Sequence, residues 1–195
     1  MSLTLVPLPH AELWLDEHFL PSATADALLH ELEQTITWRQ EAIRLYGREV
    51  LQPRLTAWHG DPTATYRYSG LQLTPQPWTP VLQQLRARVE AATGASFNSV
   101  LLNLYRYGQD SMGWHADDEP ELGPEPVIAS VTLGATRTFR LRPRPGVAAQ
   151  ALSLPLTAGS LLVMRGETQQ NWLHALPKTA RPVGPRLNLT FRLVG

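Results

Sequence analysis

Two histidines and one aspartate, His115, Asp117 and His174, are the residues of this chain best suited to holding a metal ion. His115 and Asp117 are two apart, and in an extended segment residues i and i+2 point to the same face, so both can reach one ion. His174, arriving on another strand, would close the triangle. Two imidazoles and one carboxylate form the facial set that suits Fe(II), because it leaves positions open for a co-substrate and O2. Zinc accepts the same ligand types, so residue types alone do not fix the metal. Farther on, Arg186 and Arg192 are what a small dicarboxylate would need. Arg186, Asn188, Thr190 and Arg192 alternate with Leu187, Leu189, Phe191 and Leu193, which gives a strand one polar and one apolar face. Guanidiniums on an inward face are costly unless anions pair with them. Asn103 and Tyr105 likewise share one face of their strand.

These side chains need a frame. Leu28, Leu32 and Ile36, with Ala27, recur at helical spacing after Pro21, with Ser22 as the expected N-cap. A second helix is better marked: Thr79 caps it, Pro80 takes the first helical position, Val81, Leu82, Leu85 and Val89 form its apolar face, and Gly94 ends it. Beyond Gly94 the period changes. Segments 97–107, 127–133, 138–141, 151–154, 160–164 and 187–194 read as strands punctuated by Gly, Pro and Asn. Helices followed by runs of strands predict an α+β protein with a sandwich or barrel core. Segment 44–69 is also rich in strand-forming residues, with turn signals at Tyr46-Gly47 and at His59-Gly60-Asp61-Pro62, and suggests hairpins outside that core.

A chain of 195 residues, 43% of them hydrophobic, is expected to be a single domain spanning 1–195. It contains no cysteine, which excludes disulfides and thiolate metal sites and suits a cytoplasmic location. No stretch has the length and apolarity of a signal peptide or a membrane span. The formal net charge is zero, so a nucleic-acid partner would have to be held by a local basic patch. Of the six histidines, His10, His18, His30 and His59 stand in no comparable context and are expected on the surface or satisfied in the core.

A His-x-Asp tripeptide is short and common; the weight lies in its surroundings. From Asn103 the chain runs Asn-Leu-Tyr-Arg-Tyr-Gly-Gln-Asp-Ser-Met-Gly-Trp-His-Ala-Asp-Asp-Glu, and from Pro185 it runs Pro-Arg-Leu-Asn-Leu-Thr-Phe-Arg. These stretches resemble the AlkB family of Fe(II)- and 2-oxoglutarate-dependent dioxygenases, and within it the animal branch that repairs alkylated DNA. The resemblance runs from about Arg44 to the C-terminus. It implies a double-stranded β-helix (jelly-roll) core over 97–195, N-terminal helices, and a nucleotide-recognition lid of hairpins over 40–75. It also implies Fe(II), 2-oxoglutarate and O2 as cofactor and co-substrates. His115, Asp117 and His174 become the iron ligands, Asn103, Tyr105, Arg186 and Arg192 the 2-oxoglutarate binders, and Asn188 and Thr190 part of the same wall.

The same resemblance marks a substrate side. Leu45-Tyr46-Gly47-Arg48 matches a turn that inserts a finger into the base stack, with Tyr46 as the wedge that offsets part of the cost of flipping a base. Thr65-Tyr66-Arg67-Tyr68-Ser69-Gly70 matches the lid strand, where Tyr68 or Tyr66 would stack on the flipped base opposite a ring on the iron side such as His115. A methylated adenine or cytosine is cationic, so aromatic faces favour it. Asp118 and Glu119 follow the ligand aspartate and could accept from an exocyclic amino group. Basic residues cluster at Arg137, Arg140, Arg142 and Arg144, with Arg48 and Arg54 elsewhere on the substrate side, and the alternation of Arg140, Arg142 and Arg144 could track phosphates. The implied activity is oxidative demethylation of 1-methyladenine and 3-methylcytosine by a monomer acting on alkylated DNA. Succinate, CO2 and formaldehyde would be released. An RNA demethylase of the same chemistry, a non-catalytic nucleic-acid-binding module and a hydroxylase of other substrates are the rival readings.

Overall fold

The computed structural model describes residues 2–45, 48–68 and 71–195; for 43–45, 48, 66–68 and 71–73 the backbone alone is described. In chain order the elements are β1 (Thr4–Val6), β2 (Glu12–Asp16), α1 (Ser22–Thr35), β3 (Ala42–Leu45), β4 (Arg48–Leu51), β5 (Leu55–Gly60), β6 (Tyr66–Tyr68), β7 (Leu71–Leu73) and α2 (Pro80–Thr93). They continue as β8 (Ser99–Tyr105), β9 (Met112–His115), β10 (Ile128–Gly134), β11 (Arg137–Pro143), β12 (Leu152–Leu156), β13 (Leu161–Arg165), α3 (Thr168–Asn171), β14 (Trp172–Leu176) and β15 (Arg186–Arg192).

Two antiparallel sheets carry the core. The larger has the order β1-β2-β13-β10-β15-β8-β5, and the smaller β12-β11-β14-β9. This is a jelly-roll arrangement. The larger sheet is buried on both faces, and alternation along its strands divides the side chains between two layers. Val100 and Leu102 of β8, Ala129, Val131 and Leu133 of β10, Leu161 and Val163 of β13, and Leu187, Leu189 and Phe191 of β15 pack with Leu32 of α1 and Leu82, Leu85 and Val89 of α2. The alternate residues turn toward the smaller sheet. There Leu13, Ile128, Leu162 and Met164 meet Leu141, Leu156 and Trp172 in a second apolar cluster. Pro155 is accommodated because β12 is an edge strand of its sheet.

The second helix follows its sequence signals: Thr79 accepts from the Leu82 N–H, Pro80 is the first helical residue, and Gly94 ends the helix at φ 67°. The first departs from them. Ser22 is the first helical residue rather than the cap. Pro21 precedes it in extended conformation, with no side-chain cap, and its carbonyl accepts from Ala25 N–H. Ala25, not Ala27, is the alanine on the buried face with Leu32. Leu193 lies past the end of β15 and is 55% exposed, so the apolar face expected there stops at Phe191.

Three strands were not expected as such from periodicity. β1 and β2 extend the large sheet, β2 pairing with β13 through Leu15↔Leu162 and Leu13↔Met164. β5 also corrects the expectation of hairpins alone over 44–69. It pairs along its length with β8, from Leu55↔Leu104 to Gly60↔Ser99, and closes the large sheet. Gly60 suits that edge, since a Cβ there would lie 2.7 Å from the Asn98 carbonyl oxygen. The hairpins β3–β4 and β6–β7 form separate two-stranded sheets on either side of β5 in sequence. Among the described residues no helix is long and apolar enough to cross a membrane.

Candidate active site

His115 ends β9, and its Cα partner on β14 is His174, so sheet register alone sets the two imidazoles side by side. Their ring centroids are 4.2 Å apart, edge to face, and Phe139 stacks on His174 from the other side at 5.3 Å. Asp117 follows β9 in irregular chain and is buried, at 3% exposure. One candidate ligand atom from each of His115, Asp117 and His174 lies within 4.8 Å of the others. The three residues named from spacing are therefore one cluster, at the end of the cavity between the sheets.

The electrostatics favour a metal. His115 donates from Nδ1 to the Gly113 carbonyl at 2.9 Å, which leaves Nε2 as its free lone pair. Burial, aided by the neighbouring His115, pushes the His174 pKa down to about 3 against the pull of Asp117, so the ring is neutral, the form that binds metal. Burial would raise the Asp117 carboxyl. The Arg192 guanidinium, with His174 and His115, outweighs that and holds it below the usual carboxylate range. Arg192 Nη2 donates to Asp117 Oδ1 at 2.6 Å.

A cavity opens from the cluster, lined on its polar side by Asn103, Tyr105, Arg186, Asn188, Thr190 and Arg192 and on its apolar side by Leu101, Met112, Phe139 and Leu176. The expected co-substrate residues thus share one wall. Arg186 is only 2% exposed. It donates to Thr132 Oγ1 at 3.0 Å and to Asn188 Oδ1 at 3.3 Å, and its Nε has no partner among the described residues. Burial lowers its pKa to about 10, and the nearby Tyr105 opposes that, so it remains a cation at neutral pH. No carboxylate of the described residues lies within ion-pair distance of it. A buried cation with an open side and an unused N–H fits a carboxylate from a bound molecule. The residues present therefore fit a dicarboxylate beside a three-ligand metal.

Other residues hold this wall, and the motif reading passed over most of them. Ser130 donates to Asn188 Oδ1 at 2.8 Å, and Asn188 Nδ2 donates to Thr190 Oγ1 at 2.7 Å. Ser130 and Thr132 were legible, since they are two polar residues at spacing two within the otherwise apolar run of β10, opposite Thr190 and Asn188 in register. Arg54, grouped above with the basic substrate-side residues, is buried and donates from Nε to Asn103 Oδ1 at 2.8 Å, so it braces that wall. Arg137, also grouped there, is 4% exposed and donates to the carbonyls of Asp110 and Pro177 at 3.0 and 2.7 Å. With the Arg106–Asp110 pair at 2.8 Å it closes the loop that leads from β8 into β9.

The substrate-side residues are placed less completely. Tyr46 and Gly47 lie outside the described residues. Arg48 begins β4, and Tyr66, Arg67 and Tyr68 form β6, paired to β7 as Tyr66↔Leu73 and Tyr68↔Leu71; their side chains are outside those described. Asp118 is about half exposed and paired with Arg144, while Glu119 is exposed. Arg142 lies 4.4 Å over the Trp114 ring.

The family model of the 2OG-Fe(II) oxygenase superfamily matches residues 13–192. Human alpha-ketoglutarate-dependent dioxygenase alkB homolog 3 is 42% identical over 200 residues, covering 98% of this chain and 69% of that protein. Mouse DNA oxidative demethylase ALKBH2 is 44% identical over 181 residues, covering 88% of this chain and 76% of its own length. A solved structure of OsALKBH1 superposes with a TM-score of 0.65 at 16% identity, covering 98% of this chain and 100% of that one, which supports the fold alone. The chain belongs to the 2OG-Fe(II) oxygenase superfamily and, within it, to the AlkB family. It is a 2-oxoglutarate-dependent dioxygenase, with Fe(II), 2-oxoglutarate and O2 as the cofactor and co-substrates of its class.

Proposed function

We propose that this enzyme removes methyl groups from N-alkylated bases, 1-methyladenine and 3-methylcytosine, in DNA by direct reversal. Succinate, CO2 and formaldehyde are the other products. The observation that carries the chemistry is the His115–Asp117–His174 cluster in the same cavity as Arg186, a buried cation with no carboxylate partner among the described residues. The substrate class is supported by the relatives, one of them named as a DNA oxidative demethylase.

When bound, Fe(II) and 2-oxoglutarate supply the activation of O2 and the oxidation of the methyl group. The chain's own residues do the rest. His115, Asp117 and His174 would hold the metal with positions left open. Arg186 and Arg192 would hold the carboxylates of 2-oxoglutarate, with Asn103 and Tyr105 on the same wall. Arg192 also donates to Asp117 and balances its charge. Asn188 and Thr190 are locked together by their own hydrogen bond and keep that wall rigid. Phe139, Met112 and Leu176 exclude water from the metal side of the cavity.

On the substrate side the hairpins β3–β4 and β6–β7 act as a nucleotide-recognition lid. Tyr46, flanked by Gly47 and Arg48, is the wedge. Tyr68 or Tyr66, with Arg67 between them, covers the flipped base, and Asp118 and Glu119 face its exocyclic amino group and positive charge. The same reading makes the enzyme a cytoplasmic monomer, in keeping with a chain that has no cysteine.

The test is anaerobic loading with Fe(II), 2-oxoglutarate and methylated oligonucleotides, followed by O2. Matched single-stranded DNA, duplex DNA and RNA are compared by mass. Loss of one methyl per succinate, dependent on each component, is expected on DNA. Succinate release that needs neither Fe(II) nor His115 would sink the proposal, and faster turnover on RNA would reassign the substrate.

A further inference from the structure

The metal-binding aspartate is held by a side chain that no motif marks. Asp117 lies outside any strand, so no sheet ladder fixes its backbone. Its N–H instead donates to Gln169 Oε1 at 3.0 Å. Gln169 is 1% exposed, and its Nε2 donates to Met164 Sδ at 3.4 Å, so both ends of the amide are engaged. The Gln169 carbonyl accepts from Arg144 at 3.3 Å, and Arg144 pairs with Asp118. One residue of α3 therefore meets the Asp117–Asp118 segment twice, once through its side chain and once through Arg144.

The short helix is itself anchored. Thr168 Oγ1 accepts from Glu12 N–H of β2 at 2.9 Å, and Trp172 Nε1 donates to the Pro9 carbonyl at 2.9 Å. Within six residues the chain passes from Gln169 to His174. The continuous segment α3–β14 thus carries His174 and also contacts Asp117. With Asp117 at 3% exposure, water has little access to its N–H, and no other acceptor for it is found among the described residues.

We propose that Gln169 is a positioning residue for the metal site: its side-chain Oε1 sets the backbone of Asp117 and so aims the carboxylate at the ion. This rests on the metal assignment of the triad and not on the nucleic-acid substrate. Supporting groups of this kind typically change metal affinity by about 10- to 100-fold when removed.

The experiment is titration of the metal-free protein with Mn(II) by calorimetry, alongside thermal melting without metal. Wild type and Asp117→Ala serve as references; a wild type that fails to bind Mn(II) would count against the triad assignment itself. Gln169→Met removes the acceptor with little change in volume, and Gln169→Glu keeps an acceptor oxygen. Gln169→Met is expected to weaken Mn(II) binding by about 10-fold or more, with its metal-free melting lowered only as far as one unpaired buried N–H lowers it, and Gln169→Glu to recover most of that loss. Mn(II) affinity within about twofold of wild type in folded Gln169→Met, well below the loss that supporting groups give, overturns the proposal. So does a drop in melting temperature with affinity intact. If Gln169→Met does not fold, Gln169→Glu decides: affinity near wild type supports the role, and a loss of about 10-fold or more overturns it.

Discussion

β15 and β11 carry the same pattern and put it to opposite use. Arg186-Leu-Asn-Leu-Thr-Phe-Arg192 and Thr138-Phe-Arg-Leu-Arg142 both alternate polar and apolar residues with arginines among them. On β15 both faces are enclosed: Leu187, Leu189 and Phe191 are fully buried under the helices, and Arg186 is buried between the sheets. On β11 Leu141 faces inward while Arg140 and Arg142 face solvent. The difference is position in the fold. β15 is central in the larger sheet, and β11 belongs to the smaller sheet, whose outer face is open. An arginine on a strand becomes chemically informative when the other face of that strand is also covered, because the guanidinium then has no route to water.

Each prediction tests that contrast. The largest effect is expected for Asp117→Ala, which removes a ligand and leaves Arg192 without its partner. Mn(II) affinity should fall by more than about 100-fold, beyond what loss of a supporting group costs, as read by calorimetry. Arg186→Met comes next. Removing a buried partner of a bound carboxylate costs about 2–5 kcal/mol, at least roughly 30-fold in 2-oxoglutarate affinity. Yet metal-free stability should hold or rise, because no carboxylate of the described residues pairs with the guanidinium. A lower melting temperature for metal-free Arg186→Met would break the comparison, since it would make that arginine a structural residue.

Arg54→Leu removes one charged hydrogen bond to Asn103, worth about 1.5–3 kcal/mol. It should raise the KM for 2-oxoglutarate by about 10-fold with a smaller change in kcat. The pH dependence is gentler. The unfolded chain takes up a proton at His174 near pH 6.5, and the folded, metal-free protein does so only near 3. Between those values the unfolded state binds more protons, so stability falls as pH falls, by at most about 1.4 kcal/mol per unit. Asp117, whose carboxyl is held low, adds to the loss at the acid end. Urea denaturation of chelator-treated protein from pH 7 to 4 measures it, and His174→Phe should flatten the slope. Smallest of all, Arg142→Ala on the open face should change stability by less than about 0.5 kcal/mol and leave 2-oxoglutarate affinity unchanged.

The site was more legible in the sequence than the frame around it. The polar face of β15 follows from spacing two on a strand, and the fold realises it directly, whereas His115 and His174 meet through sheet register and Asp117 joins them from irregular chain past β9. The same rule could have found Ser130 and Thr132. Arg54 and Arg137 were misplaced because composition counts a basic residue without saying which way it points. Only the pairing of β5 with β8 and the packing of β11 turn them inward. β1 and β2 are short, and strands of three and five residues give too few alternations to register as a period. Gln169 had no signal at all: its role comes from a contact 52 residues away in sequence.

β5 leaves a last consequence. One hairpin, β3–β4, precedes it and the other, β6–β7, follows it, and bridges at Arg39↔Thr56 and His59↔Gln76 tie the incoming and outgoing chain to that one strand. The ladder from β5 to β8 is complete without either hairpin. Lengthening, shortening or rewriting a hairpin therefore leaves the register of the catalytic sheet untouched, at the modest entropic cost of a longer loop. If the hairpins form the proposed lid, mutation can retune what they present to a nucleotide while the strands that carry the candidate metal site stay constant. One strand with a pendant hairpin at each end would then be an evolutionary hinge between chemistry and choice of substrate.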